Sequence, residues 1–173
     1  AGQPGDITYL CEIAPPDVAL VNNISADHVG RFGSLKAIAR TKGEIYRHLK
    51  VAGVAVINAE DDFQDSWPVP HTATRVRYGC GTDVEYQLSH NTDGSAFVRL
   101  PGGEHIPLRL PVAGAHNLLN AAAVVAIADQ LAVAEDIIQQ GLAHFKPESG
   151  RLQQYKLKQG GVLIDDSYNA NPA

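Results

Sequence analysis

The chain has 173 residues, of which 45% are hydrophobic and 19% are charged, a balance typical of a folded globular protein rather than a disordered one. Its formal net charge of −5 and lack of a basic cluster argue against nucleic acid as a partner. No apolar stretch reaches membrane-spanning length, and the N-terminus lacks a signal-peptide pattern, so we expect no membrane partner either. Cys11 and Cys80 lack metal-type spacing, which favours two free thiols in a reducing, cytoplasmic environment.

The first third of the sequence alternates predicted helices and buried strands. Residues 5–14 are predicted to form a short helix that two prolines end. The apolar runs at residues 18–21 and 54–57 are typical of buried parallel strands, and a helix over residues 34–49 separates them. This order predicts a right-handed parallel crossover, with ligands bound at the carboxyl ends of the strands.

Polar segments follow both predicted strands. Residues 22–34 contain the pair Asp27-His28, and residues 58–62 contain the pair Glu60-Asp61. Because the carboxyl ends of parallel strands meet at one edge of a sheet, we expect His28 and residues 58–62 to lie there. The acidic pair also suits the first turn of a helix, where carboxylates stabilise free N–H groups, and we favour that structural interpretation.

Lys42 lies on the apolar face of the helix predicted over residues 34–49, which Ser34 is expected to cap. The positions on that face are spaced by three or four residues: Leu35, Ile38, Lys42, Ile45 and Leu49. A charged lysine there is costly, because desolvation disfavours the ammonium ion. Three interpretations stay open: the side chain reaches water, the amine pairs with a carboxylate, or a neutral amine takes part in chemistry.

The second half predicts strands first and helices afterwards. Residues 75–110 contain short alternating runs separated by turn residues, which predicts a small antiparallel sheet added to the core, with His90 and His105 on its surface. Helices are predicted over residues 114–131 and 135–144, and strands over 151–158 and 162–166. We therefore predict an α/β fold, with a mainly parallel sheet flanked by helices and a small antiparallel β-sheet.

The helix predicted over residues 114–131 carries His116, Asn117 and Asn120 in its first turns. A helix N-terminus offers unpaired N–H groups, and asparagine carboxamides can satisfy the polar edge of a base. Asn117 is equally suited to capping the helix, and the sequence does not decide between these interpretations.

Six motifs occur in the order found in the Mur ligases, and the chain resembles this family over essentially its whole length. The motifs are NNISADHVGRFGS, ARTKGEI, VINAEDD, GAHNLLNAAA, GRLQ and IDDSYNANP. Mur ligases are cytoplasmic enzymes that form amide bonds in bacterial peptidoglycan synthesis. GRLQ followed by DDSYNANP is most similar to the member that adds D-alanyl-D-alanine to UDP-N-acetylmuramoyl-tripeptide, which implies those two substrates.

The resemblance implies ATP and Mg²⁺ as cofactors. In the family, ATP phosphorylates the terminal carboxylate of the peptide, and the incoming amine attacks the acyl phosphate. Lys42 matches the carbamylated lysine of the family and His28 matches a magnesium ligand, so both are expected to be catalytic and to lie at the metal. Only a neutral amine adds CO₂, and partial desolvation of Lys42 favours that form.

Other motif residues match the family's nucleotide-binding positions. His116, Asn117 and Asn120 correspond to the helix that lies against adenine. Arg151 corresponds to the arginine that reaches the phosphates, although by itself it would be an ordinary surface residue of a strand. Asp166 corresponds to the aspartate that binds the ribose hydroxyls.

The main departure from the family is that these residues contain no GxxGKT/S phosphate-binding loop. The resemblance places that loop upstream, so we expect a fragment that is inactive alone and belongs to a monomeric full-length enzyme. Residues 1–149 would form the central ATP-binding domain, and residues 150–173 would begin the C-terminal ligase domain. Two other functions stay open: another Mur or folylpolyglutamate-type amino-acid ligase, and a non-catalytic nucleotide-binding module.

Overall fold

The core of the protein is a six-stranded sheet in which each strand pairs with its neighbours in sequence order. A computed structural model of the chain describes residues 2–25, 32–146, 148–150, 153–165 and 167–168. The strands of this sheet are β1 Val18–Val21, β2 Val54–Asn58, β3 Thr74–Gly79, β4 Tyr86–His90, β5 Ala96–Arg99 and β6 His105–Leu108. Two further strands, β7 Gln153–Lys156 and β8 Val162–Asp165, pair only with each other.

The main sheet changes from parallel to antiparallel pairing at β4. The strands from β1 to β4 pair in parallel, whereas β4, β5 and β6 form an antiparallel meander. The α/β fold with a mainly parallel sheet flanked by helices and a small antiparallel sheet is confirmed. One detail is wrong: β3 is part of the parallel core, because alternation of apolar residues reports half-burial of a strand but not the direction of its partner.

The helices are α1 Asp6–Ile13, α2 Leu35–Lys42, α3 Glu44–Arg47, α4 Ala115–Gln130 and α5 Glu135–Ala143, with a 3₁₀ turn at Gln64–Ser66. Ser34 caps α2 as predicted, since its hydroxyl accepts from the Ala37 N–H at 3.2 Å. The single helix expected over residues 34–49 is instead two helices that meet at Gly43. Trp67 packs closely there, and a Cβ atom at position 43 would lie 3.0 Å from its Cε3 atom.

Different helices cover the two faces of the sheet. Val56 of β2 belongs to a core shared with α4 and α5, whereas Ala55 and Ile57 belong to a second core that includes Tyr46 and Trp67. This division follows from the strand itself, because successive side chains point to opposite faces. His90 and His105 are exposed, as predicted.

The hydroxyl of Tyr46 joins the first two strands inside the second core. It accepts from the Val21 N–H and donates to the Val56 carbonyl, each at 2.9 Å, and the residue is 0% exposed. Burial raises the pKa of Tyr46 to about 12, so the hydroxyl keeps its proton at neutral pH. Tyr46 thereby holds β1 and β2 together near their carboxyl ends.

Glu44 fixes α1 against the helices that follow Ser34. No side chain of its own segment caps α1; the Glu44 carboxylate accepts instead from Gly5 N at 2.9 Å, Thr8 N at 3.1 Å and Thr8 Oγ1 at 3.2 Å. The side chain is buried, at 9% exposure. A carboxylate beside free helix N–H groups also interacts favourably with the helix dipole. Glu44, which lies two residues after Lys42 in the sequence, therefore caps α1.

We expect Tyr46→Phe to lower the free energy of unfolding by about 2–3 kcal/mol, because it leaves a buried N–H and a buried carbonyl without a partner. Chemical denaturation of the variant and the parent measures this difference. Tyr9→Phe is the matched control, since Tyr9 is 64% exposed on α1, and its effect should stay within about 0.5 kcal/mol. Equal stability of the two variants would show that the Tyr46 bridge contributes nothing.

We expect Glu44→Ala to cost about 2–3 kcal/mol of unfolding free energy, because three hydrogen-bond donors at α1 lose a charged acceptor. Glu12→Ala on exposed α1 surface should change it by less than about 0.5 kcal/mol. Amide hydrogen exchange locates the effect: in Glu44→Ala the first turn of α1 should exchange faster, whereas β2 should not. Unchanged protection of Thr8 would contradict the capping role.

Candidate functional site

Two cavities lie on either side of residues 22 and 23, directly after β1. The first, called the amide cavity, has a volume of about 290 Å³ and opens between the ends of β1 and β2 and the first turns of α4. Its polar lining consists of Asn22, Asn23, Asn58, Glu60, Asp61, Asp62, His116 and Asn120. The second, called the lysine cavity, has a volume of about 240 Å³ and is lined by Lys42, Ile7 and Ile45 as well as by β1. This is the edge of the sheet at which ligands were expected.

Asn22 connects several elements around the amide cavity. Its Nδ2 group donates to Asn120 Oδ1 at 2.7 Å, and its Oδ1 atom accepts from the hydroxyl of Tyr78 at 2.8 Å. Its backbone carbonyl accepts from Asn58 Nδ2 at 2.8 Å. The end of β1 is therefore joined to β2, β3 and α4 through one residue.

Asp61 holds the segment that follows Asn22. Its carboxylate accepts from Ile24 N at 2.7 Å and from Phe63 N at 2.8 Å, and the residue is 8% exposed. The interpretation of Glu60-Asp61 as the first turn of a helix is wrong, because only a 3₁₀ turn follows and no side chain caps it. Glu60 accepts instead from Cys80 N, at 2.7 Å. Both carboxylates thus order loops at the carboxyl edge of the sheet.

Lys42 is half-buried and lines the lysine cavity. Its Nζ atom donates to the backbone carbonyl of Asn23 at 3.2 Å. Within the described part of the chain no carboxylate lies within ion-pair distance of this amine. The protonated amine offers only donors, so it cannot ligate a metal in that form. Of the three interpretations, pairing with a described carboxylate is excluded.

The three residues predicted to contact a base are brought together on α4 but face two cavities. His116 lines the amide cavity, and Asn117 lines a smaller apolar cavity of about 130 Å³ between α4 and α5. Asn120 lines both cavities. The apolar cavity is otherwise formed by Leu110, Val112, Ala121, Val124, Leu142 and Phe145.

Asn117 does not cap α4. Its Nδ2 group donates to the Ala113 carbonyl at 2.7 Å, and no side chain accepts from the first turn of the helix. Gly114 is the residue just before α4, and its φ angle is +111°. The His116 ring lies so close to it that a Cβ atom at position 114 would be 2.7 Å from the Cε1 atom of His116. The free N–H groups at this end of α4 therefore have no side-chain acceptor among the described residues.

Three predicted site residues, His28, Arg151 and Asp166, lie outside the described residues, so their assignments stay predictions. Over the described ranges, no group of three or more His, Cys, Asp or Glu side chains could hold a metal ion. The same residues include no helix long and apolar enough to cross a bilayer.

Three residues that organise the site were not predicted from the sequence: Asn22, Tyr78 and Glu44. Asn22 could have been found, since it directly follows the apolar run of β1 as Asn58 ends that of β2. Tyr78 carries no such signal, because its contact with Asn22 spans 56 positions in the chain. Glu44 lies within the ARTKGEI motif, but only the packing of α1 reveals its role.

Comparisons with known proteins agree with this architecture. The Mur ligase middle domain family matches residues 2–128. The UDP-N-acetylmuramoyl-tripeptide–D-alanyl-D-alanine ligases of Haemophilus influenzae and Escherichia coli K12 are each 35% identical to the chain, over 172 and 177 residues. Both alignments cover 99% of the chain, but only 38% and 39% of those proteins.

Solved structures give the same result. The crystal structure of MurF from Acinetobacter baumannii has a TM-score of 0.84 and 34% identity, covering 99% of this chain and 38% of that one. MurF ligase from Thermotoga maritima in complex with ADP has a TM-score of 0.76 and 31% identity, covering 98% and 40%. The chain thus spans about 38% of the length of its relatives. By fold and by sequence, the chain belongs to the Mur ligase family and corresponds to its middle domain over residues 2–128.

Proposed function

We propose that this chain supplies the nucleotide-binding centre of a cytoplasmic ATP-dependent ligase of peptidoglycan precursor synthesis. That enzyme would join D-alanyl-D-alanine to UDP-N-acetylmuramoyl-tripeptide through an acyl phosphate and act as a monomer. The observation that carries the proposal is the amide cavity, which joins two strand ends to the start of α4. Relatives with that substrate specificity in their names align with 99% of the chain. Residues 150–173 would then begin the C-terminal domain.

We place the base of the nucleotide in the apolar cavity, against Asn117 and Asn120. A flat heteroaromatic ring suits a small apolar cleft with a few fixed polar groups, and these amides supply such groups. The phosphates would extend from there toward the amide cavity, because Asn120 lines both spaces. The family resemblance gives Arg151 the phosphates and Asp166 the ribose hydroxyls.

Lys42 is proposed to act as a carbamate. The ammonium group first loses one proton to solvent. The neutral amine then attacks CO₂, the new N–C bond forms as one C=O π bond opens onto oxygen, and a second amine proton leaves to solvent, so a cation becomes an anion. That anion and His28 would hold the Mg²⁺ that accompanies ATP, where the ion would offset the charge on the phosphates. The support from this structure is that the Lys42 amine is half-buried, contacts a backbone carbonyl, and lines a cavity next to the amide cavity.

The ligase function can be tested with a chimera in which this chain replaces the matching segment of the Escherichia coli ligase. Phosphate release from ATP should depend on both UDP-N-acetylmuramoyl-tripeptide and D-alanyl-D-alanine. The isolated chain should release none, because it has no GxxGKT/S loop to position the phosphates. A folded chimera without D-alanyl-D-alanine-dependent release, or an active isolated chain, would contradict the proposal.

We expect carbon NMR of the chain in ¹³C-labelled bicarbonate to show one carbamate signal that disappears in Lys42→Arg. Lys36→Arg is the matched control, since Lys36 is an exposed lysine on the same helix, and it should retain the signal. Lys42→Met in the chimera should reduce ligation at least about 100-fold, as expected for loss of an electrostatic catalytic group. A carbamate signal that survives Lys42→Arg, or a fully active Lys42→Met chimera, would remove Lys42 from the mechanism.

A further inference from the structure

We propose that Tyr78 and Asn22 are positioning residues that fix Asn120 as a hydrogen-bond donor toward the bound ligand. The chemical class of that ligand, a nucleotide, rests on the proposed function, whereas the orientation of Asn120 follows from the hydrogen bonds themselves. Two hydrogen bonds, together called the relay, link the three side chains: Tyr78 Oη to Asn22 Oδ1 at 2.8 Å, and Asn22 Nδ2 to Asn120 Oδ1 at 2.7 Å.

The oxygen and nitrogen of a carboxamide can exchange places, so which group donates in each hydrogen bond of the relay needs a physical argument. In one arrangement Tyr78 donates to Asn22, and Asn22 donates to the oxygen of Asn120. In the other arrangement both amides are turned over, Asn22 donates to the Tyr78 oxygen, and Asn120 donates to Asn22. Both arrangements satisfy the contacts between the amides, and they differ in what happens to the phenolic proton.

Tyr78 decides between the two arrangements. The residue is 0% exposed, and among the described residues Asn22 is the hydrogen-bond partner of its hydroxyl. Burial, reinforced by Tyr46 and Asp61, raises the pKa of Tyr78, so the hydroxyl keeps its proton. If Asn22 were turned over, that proton would be buried without an acceptor, which is an unfavourable state. Tyr78 therefore donates, and Asn22 must present its oxygen to Tyr78 and its N–H to Asn120.

Asn58 holds the backbone of Asn22 in place, and its own orientation is unambiguous. Its Oδ1 atom accepts from the Glu60 N–H at 2.9 Å, and its Nδ2 group donates to the Asn22 carbonyl at 2.8 Å. A backbone N–H can only donate and a carbonyl can only accept, so the Asn58 amide cannot be turned over without losing both bonds. The relay from Tyr78 to Asn120 thus starts from a fixed backbone.

The consequence is that Asn120 turns its oxygen toward Asn22 and its Nδ2 group away from it. The Nδ2 group is then the part of the amide that is offered to a ligand in the cavities that Asn120 lines. A donor of this kind pairs with an acceptor, such as a ring nitrogen of a purine, and not with an exocyclic amino group. The relay therefore favours contact between Asn120 and an acceptor edge of a base.

The first test needs no ligand. In the chain with ¹⁵N-labelled asparagine, hydrogen exchange of the side-chain N–H₂ groups is measured for the parent and for Tyr78→Phe. The Asn22 group should exchange at least about 3-fold more slowly than the Asn120 group in the parent, because over the described residues only the former donates a hydrogen bond. In Tyr78→Phe this difference should shrink, since both orientations of Asn22 become available. A faster-exchanging Asn22 group in the parent, or an unchanged difference in Tyr78→Phe, would overturn the relay.

The second test adds ATP as the probe and follows the Asn120 N–H₂ resonance. Binding should shift that resonance, and Tyr78→Phe should weaken affinity about 3–10-fold, as expected for the loss of one oriented hydrogen bond. Asn22→Ala removes the relay while leaving the Tyr78 ring in the core and should weaken affinity similarly, whereas Tyr9→Phe should not. Equal ATP affinity in all variants would overturn the role of the relay. Absence of ATP binding by the parent would count against the proposed ligand, while the exchange measurement still decides the orientation of Asn120.

Discussion

The site depends on how the first two strands are held at their carboxyl ends. The Tyr46 hydroxyl bonds to Val21 and Val56 inside the core, one residue before Asn22 and two before Asn58. Those two asparagines then bond to each other and onward to β3 and α4. The buried hydrogen bonds of Tyr46 are thus followed directly by the polar cluster of Asn22 and Asn58. The same contacts that stabilise the strand ends therefore also order the site.

The groups around this cluster are divided among three cavities. The amide cavity gathers carboxamides and carboxylates, the lysine cavity presents one amine, and the apolar cavity offers a nonpolar cleft with two amides. A ligase that activates a carboxylate with ATP needs to hold a base, phosphates and an anionic substrate separately but close together. The arrangement of the described residues is consistent with that need, with Asn22 and Asn120 at the boundaries.

Glu44 shows how a motif can combine chemistry and architecture. It follows Lys42 by two residues, yet its carboxylate caps α1. Gly43 between them lies against Trp67, so a Cβ atom at this position would be in tight contact with the indole ring. Three successive positions of ARTKGEI therefore have different roles: Lys42 lines a cavity, Gly43 contacts an indole ring, and Glu44 caps a helix.

The sequence by itself determined the elements whose signals are local. The strand of residues 18–21, the Ser34 cap and the helix that carries His116 and Asn120 all follow from periodicity and capping, and the ordered motifs indicated the family. Only the tertiary structure decided that β3 lies in the parallel core, that Asn117 faces a different cavity from His116, and that Tyr78 orients Asn22. Strand partners and amide orientations depend on atoms distant in the chain, and no local pattern of residues encodes those contacts.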